Sequence, residues 1–119
     1  SEPMSELSYE DKYFVGVVNY DDGDATKDTL FHYRQKGDVV WGTYEGGNVA
    51  HGNIVARVLE DGRLDMIWQY LNKDGQFHWG TCLSTPEVLP DGRIRLSEVW
   101  RTLSGDGVSG SSVIEQRNS

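Results

Sequence analysis

The chain has 119 residues, a length that fits one domain around one core. Hydrophobic residues make up 37% and charged residues 25%, a globular balance, and no apolar run is long enough to span a bilayer as a helix. The formal net charge of −8 disfavours a nucleic-acid or anionic-membrane partner, because both need a basic surface.

The opening stretch "SEPMSELSYEDK" is acidic and polar and does not read as a secretory signal, so a cytoplasmic setting is the expectation, with Met4 as the native start. Residues 1–11 are expected to form a flexible N-terminal segment ahead of a single domain over 12–119. Cys82 is the one cysteine, which excludes an internal disulfide. From there on, turn signals recur at "DDGD" (21–24), "QKGD" (35–38), "EGGN" (45–48), "EDGR" (60–63), "NKDG" (72–75), "PDGR" (90–93) and "SGDG" (104–107). Asp-Gly and Gly-Gly pairs supply the positive φ angles that hairpin turns require.

The segments between the turns are rich in Val, Ile, Thr, Tyr, Trp and Phe, and none shows a helical period. The first strand, 12–20, leaves its inward face open between Tyr13/Val15/Val17 and Phe14/Gly16/Val18. The second, 26–34, places Phe31 and Tyr33 inside, and the third, 38–45, sets Val40, Gly42 and Tyr44 against Val39, Trp41 and Thr43. A fourth strand covers 48–59. In the fifth, 63–71, Leu64, Met66, Trp68 and Tyr70 share one face, with Asp65, Ile67, Gln69 and Leu71 opposite. The sixth, 76–85, is in conflict: apolarity favours Phe77, Trp79 and Leu83 inside, and the opposite parity brings in His78, Gly80, Cys82 and Ser84. Pro86 and Pro90 in "STPEVLPDG" are expected to end or bulge it, in a loop at a barrel mouth. The seventh, 93–103, turns Ile94, Leu96, Glu98 and Trp100 to one side, and the eighth, 108–117, aligns Val108, Gly110, Ser112 and Ile114.

Strands joined in series by short turns describe a meander, and closure satisfies both of its edges. The fold expected is therefore an all-β, eight-stranded antiparallel up-and-down barrel of the avidin or lipocalin size class, with a two-sheet sandwich as its competitor. One interior cannot hold all the apolar side chains, so Trp41, Ile67, Leu71 and Trp79 are expected outside, where such a patch suggests a homodimer or higher oligomer.

Glu98 is the residue that stands out, a carboxylate on the apolar face of the seventh strand. Burying it ionised and unpaired costs several kcal/mol, so it must be paired, hydrogen-bonded or protonated. A structural role would use Arg34 or Arg57 as counterion, or hydrogen bonds from Tyr33, Tyr44 or Trp68. A functional role would make it a ligand-orienting acceptor or a general acid/base. The rings of Tyr33, Tyr44, Trp68 and Trp100, with Phe31 and Met66, either line a small-molecule cavity or simply fill the barrel.

Other chemistry finds little support. His32, His51 and His78 lie on different strands without ligand spacing, so no metal site is expected. His78 and Cys82 stand roughly 13 Å apart along one strand, too far for a dyad. No Gly-x-Ser-x-Gly elbow is present, and no helix follows the glycine-rich turns to bind phosphate.

The stretches "LFHYRQKG" (30–37), "TYEGG" (43–47), "STPEVLPDGRIRLSEVW" (84–100) and "SGDGVSGSSVIEQ" (104–116) together resemble a family of small bacterial β-barrel proteins. Its members often carry the automated label N-acetylglutamate synthase. The resemblance implies a compact β domain. The label does not suit the chain, which has neither the loop nor the helix start that would hold the pyrophosphate of coenzyme A.

The function expected is a small-molecule binding barrel without a cofactor, taking an apolar or aromatic ligand. Its site residues would be Phe31, Tyr33, Tyr44, Met66, Trp68, Glu98, Trp100 and Ser112. The alternatives are a cofactor-free isomerase, cyclase or lyase with Glu98 moving a proton, or a protein-interaction domain acting through the outer wall.

Overall fold

The computed structural model describes residues 7–21 and 23–118. The strands are β1 Lys12–Val18, β2 Leu30–Lys36, β3 Val39–Gly46, β4 Val49–Val58, β5 Leu64–Asn72, β6 Phe77–Val88, β7 Ile94–Thr102 and β8 Ser109–Gln116. Each pairs antiparallel with its sequence neighbour, and β1 pairs with β8 through Phe14↔Gln116 and Gly16↔Ile114. The result is the closed eight-stranded meander barrel expected from the turn spacing.

Closure follows from the pattern in the chain. Gly37, Gly62, Gly75 and Gly92 hold positive φ angles in hairpin turns at both barrel ends. Each strand alternates, so one face of the sheet collects Phe14, Val40, Leu64, Ile94, Leu96 and Ile114, all essentially inaccessible. Phe14 settles the parity of β1, and Phe31 and Tyr33 face inward on β2 as expected.

Three local readings change. β2 begins at Leu30 rather than 26, so β1 and β2 are separated by the connection 19–29, in which residue 22 of the expected 21–24 turn lies outside the described residues. The prolines do not end β6 at 85. Pro86 pairs with Leu96 inside the strand, which runs on to Val88. Beyond Ser84, β6 has lost its register with β5, so a missing donor on that side leaves no ladder bond unmade. Val108 lies before β8 and is exposed, so it leaves the inward set of that strand.

The two barrel ends differ. At the end holding the 59–63 turn, Tyr9 fills the opening: its ring is fully buried, its N–H donates to Gln35 Oε1 at 2.8 Å, and its hydroxyl donates to the Gly62 carbonyl at 3.3 Å. Residues 7–11 thus depart from the flexible segment expected for 1–11, because Tyr9 gains more by entering the core than the ordered chain loses; residues 1–6 lie outside the described residues. The opposite end is crossed by the 19–29 connection.

Candidate functional site

The site is built on a polar row within the apolar barrel. Ser84, Glu98 and Ser112 are register partners across β6, β7 and β8, and all point inward. One step toward the open end comes the row Cys82, Trp100 and Gly110. On β6 the inward face is therefore Gly80, Cys82 and Ser84, and Trp79 is outside; His78 is half-buried toward the open end. The apolarity of Phe77, Trp79 and Leu83 misleads here, because the lumen has room only for small side chains opposite the large rings of β5 and β7.

Glu98 is buried, and its carboxylate takes donors from three directions. Tyr20 donates to Oε1 at 3.1 Å and Ser84 donates to Oε2 at 3.1 Å. Longer contacts come from Ser112 at 3.5 Å and the Cys82 thiol at 3.8 Å. Burial pushes the carboxyl up, and these hydrogen bonds offset only part of that rise. The partners anticipated from the sequence are different residues. Arg34 pairs with Glu10 and Arg57 with Asp65 on the outer surface. Tyr44 donates to the Gln69 carbonyl and Trp68 to the Thr81 carbonyl. No charged partner reaches Glu98 among the described residues, and its hydrogen bonds come from short hydroxyls and one tyrosine on the 19–29 connection.

Asn19 explains how Tyr20 arrives. It takes a left-handed φ of 62°, accessible to Asn at low cost, and its carboxamide donates to the Ser111 carbonyl at 2.8 Å. The chain is redirected at the barrel rim and drops the Tyr20 ring into the lumen over Gly16. Asp24 then anchors the connection, accepting from Asn48 at 2.8 Å, Tyr70 at 2.9 Å and Asn72 at 3.2 Å. Burial pushes the Asp24 carboxyl up, and these donors outweigh it and hold the group below the usual carboxylate range.

The aromatic residues do not fill the barrel. Tyr33, Tyr44, Trp68 and Trp100 stand in register with Gly42, Gly52, Gly80 and Gly110 on the following strand. A methyl group at Gly110 would lie 2.7 Å from the Trp100 ring, and one at Gly52 would lie 2.5 Å from the Tyr44 ring. Each ring is laid against the wall where a side chain is missing, which leaves the centre open. The open space is a cavity of about 200 Å³. All the residues singled out from the sequence line it: Phe31, Tyr33, Tyr44, Met66, Trp68, Glu98, Trp100 and Ser112. Tyr33 borders the cavity from its deep side, its ring packed against Phe14 and Tyr9 and almost wholly inaccessible.

Sequence reasoning missed Tyr20, Asp24 and Tyr70, which also line the cavity. Tyr70 was placed inward without a role. Tyr20 and Asp24 lie in a stretch read as strand end and turn, where alternation says nothing about direction. Cys82 is beside Glu98, and burial, with the nearby carboxylate, pushes its thiol up, away from nucleophilic use. His32 contacts Asp11 at 2.8 Å and stacks on Tyr13 outside the barrel, and His78 contacts the Ser104 hydroxyl.

Closed walls, one plugged end and one open aromatic chamber define a pocket-bearing antiparallel β-barrel. A family model described as avidin-like protein matches residues 7–117, and the chain belongs to that family. Neither a curated protein nor a solved structure matches it.

Proposed function

We propose that the chain is a small-molecule binding protein whose ligand enters at the end crossed by the 19–29 connection. The observation that carries this reading is the open lumen itself, a chamber of about 200 Å³ kept clear by rings lying on glycines. A dry cavity of about 150 Å³ takes a benzene-sized molecule. This one has space for a ring bearing a small polar group. Met66, Phe31 and the aromatic rings supply apolar contact, and Glu98 orients the polar end. Membership of a barrel family that typically binds small ligands supports the same reading.

Titration of tryptophan fluorescence with benzyl alcohol tests it. Trp68 and Trp100 line the cavity, so occupancy should give saturable quenching. A linear response, no different from that of free tryptophan, would overturn the reading.

A second reading concerns the outer wall. Trp41, Val55 and Ile67 are register partners across β3, β4 and β5, and all three project outward. We infer self-association through this row.

A further inference from the structure

We propose that the chamber selects an organic cation, a compact apolar body carrying a primary ammonium group. This rests on the reading of the lumen as a ligand site and adds the charge of its occupant.

The charged side chains lining the cavity are Asp24 near the mouth and Glu98 at depth, and no Lys, Arg or His lines it among the described residues. The arginines that the sequence offers as counterions are engaged elsewhere, Arg34 with Glu10 and Arg57 with Asp65. Glu98 receives two hydrogen bonds at 3.1 Å, one on each oxygen, and its other two contacts are long. A carboxylate has about four acceptor positions, so capacity remains for donors from a ligand. When ionised, Glu98 is a buried charge held only by neutral hydrogen-bond donors among the described residues, a costly arrangement that an incoming cation relieves.

The walls fit the same ligand. Trp68, Trp100 and Tyr44 each lie against a glycine and line the chamber; Tyr44 also stacks on Phe31 and Trp68 on Tyr70, whereas no ring among the described residues stacks on Trp100. Ring faces carry negative potential and attract a cation within about 6 Å of the centroid. An anionic ligand would meet two carboxylates and no compensating donor charge. A neutral ligand would leave Glu98 uncompensated. The net charge of −8 also raises the concentration of cations around the protein.

Three probes of similar size separate the possibilities: benzylamine, benzyl alcohol and benzoate, each titrated at neutral pH by tryptophan quenching. Benzylamine should bind roughly tenfold more tightly than benzyl alcohol, with benzoate weakest. In Glu98→Gln, with folding checked by circular dichroism, the preference should shrink to about twofold, and Glu98→Asp should retain part of it. Equal or tighter binding of benzyl alcohol or benzoate to the native protein overturns the cation inference and leaves the pocket standing. Failure of all three probes to bind overturns the pocket as well.

Discussion

Glu98 is the residue on which the chemistry turns, and its environment predicts how stability responds to pH. Burial raises its carboxyl, so the folded protein holds that proton more tightly than the unfolded chain, whose glutamates titrate near about 4.3. Its contribution is complete below the unfolded value and is lost as pH rises through the folded one. Asp24 acts in the opposite sense: its lowered carboxyl contributes stability that is lost as pH falls. Urea midpoints of the native protein should therefore carry a contribution from Glu98 that declines as pH rises above the unfolded glutamate value of about 4.3. Glu98→Gln should flatten that decline, and an unchanged slope would show that Glu98 does not carry it. The inward placement of Glu98 was legible in "RIRLSEVWRT" because alternation over a full strand fixes a face. Its partner Ser112 was legible for the same reason. Tyr20 was not, because the left-handed Asn19 that aims it leaves no periodic trace.

Between strands, the repeated device is an inward ring opposite an inward glycine. It keeps the lumen open, and it makes different glycines respond differently to a methyl group. At Gly110 the nearest atoms belong to the Trp100 side chain, which can yield by moving into the chamber. At Gly80 the new methyl would collide with the Arg101 carbonyl, part of the sheet itself, as well as with Trp68. Gly110→Ala should therefore cost about 1–3 kcal/mol, the usual range for overpacking, and weaken probe binding measured by fluorescence. Gly80→Ala should cost more in thermal unfolding. Equal costs would argue against this placement of the rings. The same device explains why β6 defeated an apolarity argument: its inward residues are small because its neighbours are large. A periodic reading weighs each strand alone and does not see the ring on the next strand. The Pro86 misreading has a related cause, since a proline marks the end of a ladder only where a partner strand is present on the side it faces.

At the scale of the whole molecule, seriality was the strongest signal. Turn pairs at regular spacing imply a meander, and two unsatisfied edges imply closure, which the β1–β8 pairing provides. What composition could not show was the asymmetry of the ends: Tyr9 plugs one, and the Asp24-anchored connection spans the other. Trp41, Ile67 and Trp79 lie outside as expected, and Leu71 is half-buried. Ile67 is 66% exposed, an unusual placement for an isoleucine in a wall strand. Light scattering at micromolar concentration should show a species larger than the monomer, and Ile67→Glu should return it to monomer. A native protein that is monomeric throughout would overturn the self-association reading.

The most direct measurement is the location of benzylamine in a crystal soaked with it. Its ring should lie in the chamber between Trp68, Trp100 and Tyr44, with the nitrogen within hydrogen-bond distance of a Glu98 oxygen. A lumen packed solid with side chains, or a probe found only on the outer wall, would contradict both the open chamber and the role given to its acid.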